Sequence, residues 1–177
     1  LFKILALVVF ALTWLVVTVP FWMSEAPLTI SHFLMHLILV AGFLSILGHH
    51  TDRETSISLS LTLLFAGLGL GVVGGQGHAS SIFLIGIFGL LILAFMRHRR
   101  LDWETPWKAI GLLTLGLLSL LASLLTSDHF RVITLLIPLA MMWPLLPVHG
   151  GFVASVTCLP GTLSSFFAVL LPSLGFH

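Results

Sequence analysis

Seven apolar stretches, each close to the length a bilayer requires, are separated by short polar breaks. A hydrocarbon core of about 30 Å takes roughly 20 helical residues. The stretches run approximately over 3–22, 28–48, 56–75, 79–97, 107–126, 129–148 and 152–174. Pro20 and Pro27 bracket the first break, HHTDRETS fills the second, and GGQGH makes the third a tight turn. RHRRLDWETP is the longest polar stretch, TSDH follows it, and LLPVHGGFVASVTCLPGT separates the last two runs. Unbroken apolar helices satisfy their own backbone groups in lipid, so no segment reads as strand. The pattern predicts an all-α, polytopic transmembrane helix bundle of about seven helices, a single transmembrane domain over 1–177.

Composition strengthens this picture. Hydrophobic residues make up 58% and charged residues 7%, and the mean hydropathy is +1.18. Soluble domains carry roughly 25% charged residues, so this chain cannot cover its own surface in water. Seven Lys and Arg against six Asp and Glu leave a net charge of +1. There is no clustered basic face of the kind nucleic acid requires. The lone Cys158 excludes an intramolecular disulfide and a cysteine-only metal site. The chain starts LFKIL without Met and ends on Phe176-His177, which reads as a trimmed chain. Its first helix lacks a small-residue cleavage site and more spans follow, so it is not read as a cleaved signal peptide.

Basic residues orient the threading. Lys3, Arg53, Arg97, Arg99, Arg100 and Lys108 fall on one side, and only Arg131 falls on the other. Cytoplasmic loops carry the Lys/Arg excess, which makes the N-terminus cytoplasmic. Trp14, Trp22, Trp103, Trp107 and Trp143 mostly lie near helix ends, where interfacial anchors sit.

Charges inside a span are costly and mark function. Here Glu25, Asp52, Glu54, Asp102, Glu104 and Asp128 all fall in loops, and Lys108 heads the fifth helix. A proton or sodium path of buried carboxylates and lysines is absent. The histidines remain. His32 and His36 are four apart and share a helix face, a spacing that can hold a transition metal. No Glu lies between them and no third ligand is evident, so a neutral pair facing the bundle or the headgroups is the plainer reading. A proton relay is a further possibility. A b-type haem needs axial ligands on both faces of the iron, which one HxxxH cannot supply. His49-His50 with Asp52 and Glu54 read as a solvated loop, and His78 and His98 as interface polarity. The sequence calls for no cofactor and no metal. The run AGLGLGVVGG (66–75) precedes no βα unit and reads as helix packing through small residues. The serines of SISLSLTLL (56–64) read as hydroxyls bonding their own helix or a neighbour.

Three stretches carry a resemblance: VVGGQGHASSIFLIGIFGLLILAFM (72–96), TPWKAIGLLTLGLLSLLASLL (105–125) and LIPLAMMWPLLPVHGGFVASVTCLPGTLSSFFAVLL (136–171). In order they resemble the antiporter-like, proton-pumping membrane subunits of NADH–quinone oxidoreductase. Their relatives in membrane hydrogenases, cation/proton antiporters and inorganic-carbon uptake complexes are similar. The likeness covers roughly 28–177 and is strongest over 105–171. The family's P-x-H loop matches Pro147 and His149, Pro160, Gly161 and Thr162 stand near its A-P-T helix start with Leu159 for the alanine, and its helix-head lysine falls at Lys108. The resemblance implies a cytoplasmic site for this loop. Departures follow. The family's membrane glutamate falls near Phe88-Gly89, and its central lysine near Met142. The W-L-P-D-A segment has become Gly151 to Ser155, and about half the family's helices are present.

The resemblance implies an integral membrane subunit of an energy-coupled, complex I-like multisubunit complex, in a bacterial inner membrane or an equivalent energy-coupling membrane. The proton-transfer Glu/Lys pair, which works by mutual pKa shifts, is lost at Gly89 and Met142. The role expected is therefore structural or accessory, beside other membrane subunits and lipid, and not catalytic alone. Lys108 and His149 are the residues left for a short proton path. One alternative is proton or cation transport over His32, His36, His149 and Lys108, should they converge on one cavity. A second is a His-liganded membrane metal or haem protein.

Overall fold

The computed structural model describes residues 2–23, 29–48, 55–97, 104–126, 128–142, 152–153, 156–157, 159 and 162–176. Seven helices occupy them: α1 Phe2–Met23, α2 Ile30–Gly48, α3 Thr55–Gly74, α4 His78–Arg97, α5 Glu104–Leu125, α6 Asp128–Met142 and α7 Thr162–Gly175. Among the described residues there is no strand, so the all-α bundle expected from the hydropathy pattern is the observed fold. α1 to α4 are each long and apolar enough to cross a membrane. The apolar portions of the other three are shorter: Ala109–Leu125, Phe130–Met142 and Thr162–Gly175. Leu, Val and Ile side chains cover much of the outer surface, with Val16 71% and Leu125 89% exposed. An apolar exterior of this kind suits lipid.

Consecutive helices run antiparallel. Lys3 Nζ donates to the Leu47 carbonyl at 2.9 Å, which sets the start of α1 beside the end of α2. Further along, Phe10 packs into Gly42 and Thr18 lies beside His36. Met35 and Ile38 of α2 meet Gly74 and Gly69 of α3, and Phe83 of α4 meets Gly71 of α3. α7 breaks this sequence. It lies against α2, α3 and α6, antiparallel to α2 and parallel to α3. Ser45 donates to the Thr162 carbonyl at 2.8 Å, Phe166 approaches Gly42, and Leu170 approaches Gly69. Phe65 of α3 meets Phe167 edge-on at 4.6 Å. Leu163, Phe166, Phe167 and Leu170 have no exposed surface. The C-terminal helix is therefore the centre of the bundle.

Helices in lipid gain nothing from hiding apolar surface, so their association rests on close contact. Glycine provides it. The edge of Phe10 lies 2.5 Å from where a Cβ would stand at Gly42, and Leu170 lies 2.7 Å from that point at Gly69. The small-residue reading of AGLGLGVVGG therefore fits at Gly69 and Gly71, while Gly67 has nothing within 4 Å of its Cβ position.

Hydroxyls inside the helices turn back on their own carbonyls: Thr18 to Trp14 at 2.6 Å, Thr62 to Ser58 at 2.9 Å, and Thr114 to Ile110 at 2.7 Å. One hydroxyl does more. Pro138 lies inside α6 and has no N–H, so the carbonyl four residues earlier, at Thr134, loses its helical donor. Ser119 of α5 donates to that carbonyl at 2.5 Å. A neighbouring serine thus repairs the proline's gap, as apolar surroundings require.

Two details differ from the sequence reading. The seventh helix proper begins at Thr162, where the apolar run suggests 152. Phe152–Val153 and Val156–Thr157 are helical, and Leu159 is a buried bend before α7. Ser164 donates back to the Val156 carbonyl, which ties that short turn to the helix. Trp14 is half-buried in the α1–α2 seam, edge-on to Phe43 and His36 with centroids 6.5 Å apart in each pair. It is a packing residue there.

Ser119→Ala is expected to cost about 1–3 kcal/mol, the penalty for an unpaired buried carbonyl. In a Pro138→Ala background, where residue 138 regains its N–H, the same change is expected to cost much less. Unfolding titrations in detergent read the cycle, and equal losses in both backgrounds would exclude the repair. Gly42→Ala is expected to cost about 1–3 kcal/mol by overpacking against Phe10, with Gly67→Ala neutral or stabilising in the same assay.

Candidate functional site

The residues expected to carry function are dispersed. His149 lies outside the described residues, as do Pro147 and Cys158. Lys108 is in α5, and its side chain lies outside the description. Because neighbouring helices alternate, α5 starts at the end of the bundle where Lys3 meets Leu47. His32 and His36 stand at the other end, in the first turns of α2. The structure does not bring Lys108 and the histidine pair together.

The two histidines have local work. Thr29 precedes α2 and accepts the His32 backbone N–H at 3.4 Å, an N-cap on the helix's third residue. Its hydroxyl also lies 2.5 Å from His32 Nδ1. His36 Nδ1 donates to the His32 carbonyl at 2.8 Å. A carbonyl only accepts, so Nδ1 carries the hydrogen. His36 Nε2 faces Thr18 Oγ1 at 3.4 Å, and the ring stands edge-on to Trp14. His36 thus helps close the α1–α2 seam, while His32 bonds the cap residue of its own helix. Among the described residues, no three His, Cys, Asp or Glu side chains gather as a metal site would need.

Gly89 and Met142 are also apart. A Cβ at Gly89 would meet nothing within 4 Å. Met142 is 1% exposed and faces a cleft that Gly89 does not line. Their neighbours do converge: Phe88 and Met141 come within 2.5 and 3.0 Å of the Cβ position at Gly116 on α5. α4, α5 and α6 close there through a phenyl ring, a thioether and a bare backbone.

A cleft of about 530 Å³ lies beside Met142. It opens at the end of the bundle opposite Lys3, between the α3–α4 turn, α6 and the tail of α7. The turn is built to be tight. Gly77 adopts φ +58°, a left-handed conformation that glycine takes at no steric cost. At Gly75 a Cβ would stand 2.6 Å from the Gly71 oxygen. Ser80 donates to the Val72 carbonyl at 2.9 Å and lies 2.8 Å from the Gly75 carbonyl, which caps carbonyls at the end of α3 that no helical donor reaches.

Polar groups stand at the turn and apolar ones on the opposite wall. Ser81 is 3% exposed, and its hydroxyl has no hydrogen-bond partner among the described residues. Its oxygen is not sealed in the core; the sealed, unpartnered hydroxyl among the described residues belongs to Ser58. Arg131, half-buried in the first turn of α6, lines the cleft. Its guanidinium has no partner among the described residues. Among the described residues, no His, Cys, Asp or Glu lines this space. The sequence held two faint signals of it: Arg131 is the one basic residue off the basic side, and a serine pair follows the glycine turn.

Ser80→Ala is expected to destabilise the bundle by about 1–2 kcal/mol through two lost acceptor contacts. Ser81→Ala, which breaks none, is expected to stay within about 0.5 kcal/mol of wild type. Thermal unfolding in neutral detergent separates the two, and equal losses would exclude the capping role of Ser80. Compared with protein-family models, curated proteins and solved structures, the chain matches none.

Proposed function

We propose that this membrane-embedded bundle is an accessory subunit of an energy-coupled, complex I-like membrane complex, related to the antiporter-like subunits but without their proton-transfer pair. The observation that carries this reading is the closed apolar contact of Phe88, Met141 and Gly116, at the level where the resembled family places ionisable groups. Phe88, Met141 and Met142 are each at most 2% exposed. A proton path needs groups that change charge and water that reaches them, and a phenyl–thioether seal provides neither. The basic bias of the loops supports a cytoplasmic N-terminus. The apolar outer face of α1, with Phe2, Ile4, Leu12 and Val16 all more than half exposed, suits either lipid or a neighbouring membrane subunit.

Reconstituted alone into liposomes under a pH gradient, the chain is expected to give no dye-detected proton flux above protein-free vesicles. Flux above that background would overturn the accessory reading. In a mild-detergent pull-down, other polytopic subunits are expected to co-purify in fixed ratio. Recovery of the chain alone, after crosslinking in the native membrane, would overturn it equally.

A further inference from the structure

We propose that the cleft between the α3–α4 turn and α6 binds an anionic amphiphile, a lipid whose phosphate headgroup is held by Arg131, Ser81 and the first turn of α4. The acyl chain then lies along Leu84, Leu135, Leu139 and Met142. Three independent features meet at the polar end. Arg131 is a half-buried cation without a counter-charge among the described residues. A guanidinium beside lipid is expensive unless it is paired, and its planar fork matches phosphate oxygens. Ser81 is a nearly buried side chain that lines the cleft, and its hydroxyl donor is used by no described residue. The α4 start adds backbone N–H groups that no helical carbonyl meets. Gln76 O takes that of Ala79 at 3.2 Å, and the positive end of the helix dipole points the same way.

The shape selects the rest of the ligand. From Arg131 and Ser81 the wall becomes apolar, and Val72 and Leu174 close its far side. A free inorganic anion would fill only the polar end, and a neutral lipid chain would leave Arg131 unpaired. A volume of about 530 Å³ falls within the roughly 300–1,000 Å³ usual for small-molecule sites. Arg131 sits in the first turn of a helix that runs toward the Lys3 end, so the headgroup would lie at the opposite end of the bundle. Asp128 starts the same turn with its side chain outside the description. It is the rival counter-charge, and the experiment addresses it.

The probes are phosphatidylglycerol, phosphatidylcholine and inorganic phosphate, added to the full chain purified in neutral detergent. Native mass spectrometry is expected to show one tight phosphatidylglycerol adduct and no comparable phosphatidylcholine adduct. Phosphatidylglycerol is also expected to raise the unfolding temperature. Arg131→Gln is expected to weaken the adduct about tenfold or more, the loss of a charge-assisted contact. Ser81→Val weakens it less, and Asp128→Asn leaves it equal or tighter. The melting temperature in neutral detergent checks that each variant is folded. An adduct indifferent to Arg131→Gln, or a phosphatidylcholine adduct of equal strength, would overturn the proposal. So would a full stabilising shift from inorganic phosphate alone, which would mark a free-anion site, or a loss of binding in Asp128→Asn.

Discussion

The contact between α7 and the α2–α3 pair governs the rest of the bundle. Phe166 and Leu170 enter notches left by Gly42 and Gly69, and Phe167 stands edge-on to Phe65. In lipid such contacts are the main source of helix cohesion, because tails and side chains are equally apolar. Aromatic pairs in T-shaped geometry add about 0.5–1.5 kcal/mol beyond area burial. With α7 seated there, α2 and α3 pack both on it and on each other, since Ile38 of α2 also meets Gly69. The tail of α7, at Leu174, then reaches the α3–α4 turn and closes one wall of the cleft.

Polar groups are accounted for nearly one by one. Threonines bond their own carbonyls, Ser45 crosses to Thr162, Ser80 closes the α3–α4 turn, and Ser119 repairs α6 at Pro138. Lipid offers no replacement for a missing partner, so each of these bonds removes a penalty that water would otherwise have relieved. Against that background two hydroxyls stand out among the described residues. Ser58 is sealed without a partner, and nothing in the structure explains it. Ser81 faces a cleft that also holds Arg131, whose guanidinium has no partner among the described residues.

The same economy bears on the resemblance to antiporter-like subunits. An ionisable pair in mid-membrane must be kept wet or paired. At Phe88, Met141 and Gly116 the helices approach so closely that neither is available. Close packing and proton transfer compete for the same space, and the accessory reading proposed above rests on packing at this point. Arg131 sits in the first turn of α6, at the end of the bundle opposite Lys3.

Sequence alone determined the class and the rough division into helices, because hydropathy over some 20 residues is a property of consecutive positions. It located the packing value of the glycine run, since small residues serve any helix neighbour in lipid. It did not reveal which glycines are used: Gly69 and Gly71 are filled and Gly67 is not, a matter of helix rotation. Nor could it show that Trp14 and His36 pack on each other, or that Ser119 serves Pro138, since those pairs are joined across helices. The late start of α7 was hidden because residues 152–159 are as apolar as the helix they precede. The cleft was hidden for a deeper reason. Arg131 and Ser81 lie on different helices, fifty residues apart in the chain, and only the placing of α7 behind them makes one site of the two.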